Sequence, residues 1–361
     1  MQCFAEYATF FDLSVLEKMV MKKLLIIKLA SLGDVLASTP LFSHFASLNY
    51  EVHHLVMENC AIITQHNPHI KEHAIIHTFP SKSLFQNIRT IWRLFRIMRR
   101  DRYDAALILH IHPLFQILSK IAGIRTTIGF NNRMSRFLTI SISYNHNTIN
   151  RTVQEFILAQ KFEPALKMGE GLEYYPSPTA TITHQLPSQF LACNISGASN
   201  IHSSMPNRRW PTQSYIELFK QLSMPIVLLG NGEEDTYLAS LVMKELPHCI
   251  NLVNQTTFDE TALILQKSCL YLGNDSSLLY LSAAMDKPTV GLFGPTPSEA
   301  ANPIGKHQFS IVSSMECSPC YIPLHGIKGR AYTCDNNLCM KQISVSSVLN
   351  MIQTLQKSSP C

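Results

Sequence analysis

The sequence predicts an α/β protein built on two doubly wound parallel sheets, and three observations carry that expectation. Apolar runs recur at intervals that leave room for a helix between them. The intervening segments repeat apolar residues with a period near 3.6, and one proline-rich stretch without periodicity divides the runs into two sets.

The first set comprises LLIIKL (24–29), VHHLVM (52–57) and AALILH (105–110); the second comprises PIVLLG (225–230), LYLGN (270–274) and TVGLFG (289–294). Helices between them are expected from patterns such as Tyr215, Leu218, Phe219 and Leu222 after the turn signal Trp210-Pro211. The stretch GLEYYPSPTATITHQLPSQF (171–190) holds Pro176, Pro178 and Pro187, and the linker is placed there. A chain of 361 residues also exceeds one ordinary domain of about 100–200 residues. The expected organisation is a loosely ordered extension over 1–20, a first domain over 21–175 and a second over 176–361. Open sheets of this class bind ligands beyond the carboxyl ends of their strands, so a cleft between the domains is the expected site.

Composition narrows the class without choosing a partner. Charged residues make up 15% of the chain, and the net charge of +5 suits acidic small molecules, an anionic membrane surface or nucleic acid alike. No run of about 18 apolar residues exists, so no membrane-spanning helix is expected. The first twenty residues carry Glu6, Asp12 and Glu17 without a basic opening, and read as neither signal peptide nor anchor; MKKLLIIKL begins afresh at Met21. Ten cysteines without a secretory signal predict reduced thiols in a cytoplasmic protein.

Three junctions carry candidate chemistry. KLASLGDVLASTP (28–40) puts Asp34 where the first strand hands over to a helix; a carboxylate there is either a helix cap or a general base at the mouth of the cleft. ISGASNIHSSMPNRRWPTQSY (195–215) follows an apolar run with a Ser/Gly-rich loop that begins at Ser196. It then sets Arg208 and Arg209 before Trp210, as a diphosphate site or a solvated basic turn. LGNDSSLLYLSAAMDKPTVGLFGPT ends a strand at Asn274-Asp275 and opens a helix with Ser276 and Ser277, as an anion site or a plain Ser cap. GNGEED (230–235) is no dinucleotide fingerprint, although Glu233 can hydrogen-bond a ribose.

Taken in order, Lys28 to Pro40, the Arg-Arg-Trp-Pro loop, GNDSS followed by AAMDKPTVGLFGPT, and the terminal CMKQISVSSVL resemble the bacterial lipopolysaccharide heptosyltransferases of glycosyltransferase family 9. The resemblance covers about residues 22–355. It implies a GT-B fold of two Rossmann-like domains, an ADP-heptose donor on the second domain, and a lipid A-core acceptor on the first. It also implies an inverting reaction without a metal cofactor, and no nucleic-acid partner. Asp34 matches the family's catalytic aspartate, which acts as general base. Arg208 stands where the family carries a phosphate-binding lysine, with Arg209 beside it. Asp275, Ser276 and Ser277 match the donor segment. Ser277 replaces a common Gly, and Tyr280 a common His, either as the loss of a cation near the phosphates or as plain core packing. Lys28, Ser31 and Arg125 are the acceptor-side candidates; His110 and His112 alternate on a strand end, as buried structural histidines or with one of them facing the cleft.

Two features stand apart from that motif series. Cys317, Cys320, Cys334 and Cys339 form C-x2-C-x13-C-x4-C, a spacing suited to a structural zinc or to free or redox-paired thiols. QNIRTIWRLFRIMRRDRYD (86–104) places Ile88, Ile91, Leu94, Phe95 and Met98 on one helical face and Arg89, Arg93, Arg96, Arg99 and Arg100 around the other. That helix is expected to pack its apolar face on the sheet and to turn its arginines to an anionic inner-membrane surface, as a peripheral protein would. The rival readings are another GT-B nucleotide-sugar enzyme, such as an epimerase, and a non-catalytic scaffold.

Overall fold

Runs rich in Leu, Ile and Val that are buried on both faces form the parallel strands, and amphipathic segments between them form the crossover helices. The computed structural model describes residues 21–29, 31–77, 83–197, 199–200, 203–320 and 336–358. The extension at 1–20 lies outside the described residues.

The first half lays down β1 (Lys22–Ile27), α1 (Leu32–Ser47), β2 (Tyr50–Met57), α2 (Glu58–Ala61), β3 (Glu72–Ile76) and α3 (Leu84–Asp101). It continues with β4 (Ala105–Ile108), α4 (Pro113–Ile121), β5 (Thr126–Phe130), β6 (Ile140–Ile142) and α5 (Arg151–Gln160). The sheet order is β3-β2-β1-β4-β5-β6, parallel throughout. Alternate residues of β1 serve opposite faces: Leu24 and Ile26 pack with Phe42, Phe45 and Phe156 of α1 and α5. Leu25 and Ile27 pack with Leu94, Met98 and Phe115 of α3 and α4.

No helix or strand lies between Gln160 and Leu191. The second half then runs β7 (Leu191–Asn194), the hairpin β8 (Ser199–Asn200) and β9 (Ser203–Ser204), α6 (Thr212–Phe219), β10 (Ile226–Leu228), α7 (Glu233–Glu245) and β11 (Ile250–Asn251). It ends with α8 (Phe258–Lys267), β12 (Leu270–Asn274), α9 (Ser277–Ala284), β13 (Thr289–Phe293), α10 (Ser298–Ala301), β14 (Gln308–Val312), α11 (Leu338–Gln342) and α12 (Val345–Ser358). Its main sheet, β11-β10-β7-β12-β13-β14, is also parallel. Both sheets therefore reverse strand order once, at β1/β4 and at β7/β12, and a crevice opens at each reversal beyond the carboxyl ends.

A buried seam joins the two halves where an open cleft was expected. Val35, Leu36 and Ala37 of α1 share one apolar cluster with Leu279, Tyr280 and Leu281 of α9. The approach is tight enough that a Cβ on Gly33 would lie 3.3 Å from the Tyr280 ring. The two crevices thus meet across the start of α1 and the start of α9.

Candidate active site

Asp34 sits at that meeting point. The N-cap of α1 is Ser31, and Asp34 is the third helical residue: its carboxylate accepts from the Ser31 backbone N–H and hydroxyl, both at 3.2 Å. The two sequence readings of this residue are thus compatible, because one carboxylate oxygen serves the capping box while the other faces the seam. That second oxygen accepts from Nη1 of Arg151, the first residue of α5. The Arg151 guanidinium lies over the Tyr280 ring, 5.4 Å from its centroid, so one cation touches both halves. Burial pushes the Asp34 carboxyl up, but Arg151, Lys28 and the Ser31 hydrogen bonds outweigh it and hold it below its ordinary value.

Arg151 and its neighbour Glu155 carried no sequence expectation. They stand four residues apart on α5 and so share a helix face. Glu155, buried to 1%, accepts from Lys28 Nζ at 2.6 Å. Lys28 is therefore committed to an internal ion pair and is not free for an acceptor. A charged pair at i,i+4 on the otherwise buried face of α5 was the available signal. Near Asp34, burial foremost and then the Lys28 charge push the His110 imidazole down to about 4, so it is neutral at pH 7. His112 caps α4 instead, accepting from Leu114 N–H at 3.3 Å.

In the second half the end of β12 is braced by Asn274, fully buried, which donates to the Ile195 and Ser196 carbonyls and accepts from Trp210 N–H at 3.0 Å. Ser196 and Asn194, at the end of β7, both donate to Asp235. Burial raises the Asp235 carboxyl despite those bonds. Arg208 meets Asp275 at 3.2 Å, and Arg209 pairs with Glu234. Ser276 stands at the N-cap position of α9 without a side-chain cap bond, and Ser277 begins the helix. Between them and β7 runs Gly197, at φ +65°, where a Cβ would come within 2.6 Å of the Ser276 Cβ; only glycine fits. Asp34, Ser31, Arg208, Arg209, Asp275, Ser276, Ser277 and Ser196 all lie just beyond the facing strand ends.

The remaining expected residues are placed differently. Glu233 opens α7 just beyond the carboxyl end of β10 and is exposed, while the next two residues, Glu234 and Asp235, make the polar contacts. Arg125 is exposed just before β5, at the amino end of a parallel strand and so at the edge opposite the crevice. Tyr280 is 2% exposed with its hydroxyl donating to the Ala301 carbonyl, so beyond carrying Arg151 it packs the core. Cys334 lies outside the described residues. Among the described residues, Cys317, Cys320 and Cys339 do not gather into a three-ligand group.

The α3 helix also departs from expectation. Leu94 and Met98 are buried and Ile91 and Phe95 half-buried, but Ile88 is exposed. Eighteen helical residues span about 27 Å, roughly twice the length of four-residue β4. The first turns of the helix therefore overhang the sheet.

The comparisons agree with this architecture. The family model described as glycosyltransferase family 9 (heptosyltransferase) matches residues 91–324. Lipopolysaccharide heptosyltransferase 2 of Escherichia coli is 25% identical over 232 residues, which cover 57% of this chain; the chain spans just under two thirds, 64%, of that relative's length. Among solved structures, a family 9 glycosyl transferase from Veillonella parvula superposes with a TM-score of 0.75 at 18% identity, covering 95% of this chain and 99% of the other. The ADP-heptose lps heptosyltransferase II of E. coli gives 0.68 at 19% identity, covering 94% and 100%. Both likenesses are in fold.

Proposed function

The chain belongs to glycosyltransferase family 9, the heptosyltransferases, and from that premise we propose that it transfers heptose from ADP-heptose to the lipid A-core of lipopolysaccharide, with Asp34 as general base. The observation that carries the reading is the position of the Asp34 carboxylate, fixed by Ser31 and Arg151, directly across from the donor segment that starts at Asp275. An acceptor hydroxyl seated there gives its proton to Asp34 as its oxygen bonds to the anomeric carbon. The bond from that carbon to the diphosphate breaks on the opposite side, and the configuration inverts.

The charge gathering on the departing ADP meets Arg208, Arg209 and the free N–H groups at the start of α9. Those groups are in place before the reaction and supply the electrostatic stabilisation a metal would otherwise give. We therefore propose that turnover needs no divalent cation. The acceptor's lipid anchor assigns the work to the cytoplasmic face of the inner membrane, with the protein bound peripherally; no described helix is long and apolar enough to cross a membrane.

The test is Asp34→Asn, assayed with ADP-heptose and a delipidated lipid A-core acceptor. Losing a general base should lower transfer by about 10²- to 10⁴-fold. ADP affinity, measured by calorimetry, should stay at the wild-type value. Normal turnover would leave Asp34 with only its capping role.

A further inference from the structure

The overhang of α3 leaves Leu84, Phe85, Ile88 and Trp92 exposed at 75%, 73%, 57% and 59%. At about 100° per residue these four fall within one arc of roughly 100°, beside the buried arc of Leu94 and Met98. The arc beyond them holds Arg89, Arg93, Arg96 and Arg100, all exposed. Arg96 lies over the Trp92 ring at 4.7 Å, which joins the apolar stripe to the basic one. The only acid on the helix, Asp101, is its last residue and is held by Arg100. A lone exposed Leu needs no explanation, but four large apolar side chains in just over two turns do.

We propose that the amino-terminal half of α3 is a membrane-docking surface that lies in the headgroup layer of an anionic bilayer, with Leu84, Phe85, Ile88 and Trp92 in the acyl boundary and the arginines at the phosphates. Charge and form both point to that occupant. Apolar and cationic residues are sorted into parallel stripes along one helix, so a flat interface with hydrocarbon below and anions above satisfies both at once.

Topology adds a direction. As a crossover between β3 and β4, α3 runs opposite to the strands, so Leu84 and Phe85 stand at the carboxyl-end edge of the sheet, the edge that carries Asp34. A helix seated there turns the active-site edge toward the bilayer. The purpose of the surface rests on the reading of a lipid-anchored acceptor; its existence does not, so binding and transfer are measured separately.

The experiment uses the full chain with vesicles of phosphatidylcholine alone or mixed with phosphatidylglycerol. Co-sedimentation should appear only with the anionic vesicles and fall as salt rises. Trp92 emission should move to the blue and be quenched by brominated acyl chains, while Trp210, 1% exposed in the core, gives a constant background. Arg89→Gln with Arg93→Gln and Arg96→Gln should weaken anionic-vesicle binding by roughly a hundredfold. Phe85→Ser with Ile88→Ser should remove the Trp92 shift while some salt-sensitive binding persists. Both variants should keep wild-type transfer to the delipidated acceptor. Equal binding to neutral vesicles, an unmoved Trp92 spectrum on bound protein, or undiminished binding by the arginine variant would overturn the proposal. Vesicle binding with no heptosyl transfer would sustain the surface and overturn the proposed reaction.

Discussion

Replacing Arg151 by glutamine removes the guanidinium that holds Asp34, and the size and sign of the result follow from the pair's setting. The two side chains touch, with Arg151 24% and Asp34 35% exposed. Opposite unit charges about 4 Å apart attract by roughly 4 kcal/mol at the effective dielectric of a protein surface and by roughly 1 kcal/mol in bulk water. A pair between a quarter and a third exposed belongs between those limits, and solvent screening favours the lower part of the range. A double-mutant cycle of Arg151→Gln and Asp34→Asn, read by denaturant unfolding, should return a coupling of about 1–3 kcal/mol.

The pH profile supplies the sign. A general base works ionised, so kcat/KM rises with pH through the Asp34 titration. Arg151 holds that titration low, so Arg151→Gln should move the acidic limb to higher pH. The stabilising ion pair exists above the unfolded carboxylate's range and is lost as pH falls, so the variant should also lose less stability on acidification. Lys28 and Tyr280 titrate far above that limb, whereas His110, pushed down to about 4 by burial and the Lys28 charge, titrates within it, so the shift is read again in a His110→Gln background, where it should persist. An unmoved limb together with a coupling below about 0.5 kcal/mol would refute both the pair and the assignment of Asp34 as the titrating base.

Two further outcomes are expected. Arg208→Ala should weaken ADP and ADP-heptose alike, by about 1.5–3 kcal/mol in calorimetry, because a hydrogen bond to a charged group common to both is lost; unchanged ADP affinity would move the phosphate site, first to Arg209. Turnover should survive chelation by EDTA, and loss of activity restored specifically by magnesium would reject metal independence.

Both sheets were legible because their central strands are buried on two faces and therefore read as unbroken apolar runs: LLIIKL became β1, AALILH became β4 and TVGLFG became β13. The edge strands β3 (EHAII) and β14 (QFSIV) went unread, since half-exposed edges mix polar residues into the pattern. Asp34 and the donor segment were found because each lies within a few residues of a strand end. Arg151 and Glu155 were missed because their i,i+4 spacing marks only a shared helix face, while their partners stand 117 and 127 residues away. Glu233 is exposed while Glu234 and Asp235 make the contacts, because one position along a helix rotates a side chain by about 100°. Arg125 failed for want of strand direction, and Ile88 because a sequence pattern carries no measure of how far a helix outruns its sheet.

Arg151 grips a carboxylate of the first half while resting on a ring of the second, and on the proposed reaction this makes donor and acceptor thermodynamic partners. A donor that shifts Tyr280 or draws on the cation changes the state of Asp34, and an acceptor that displaces Asp34 from Arg151 changes the surface the donor meets. Linkage then demands reciprocity: whatever factor ADP-heptose applies to acceptor affinity, the acceptor must apply to ADP-heptose. Any preferred order of addition is in that case a matter of rates, since the ternary complex reached by either route has the same free energy.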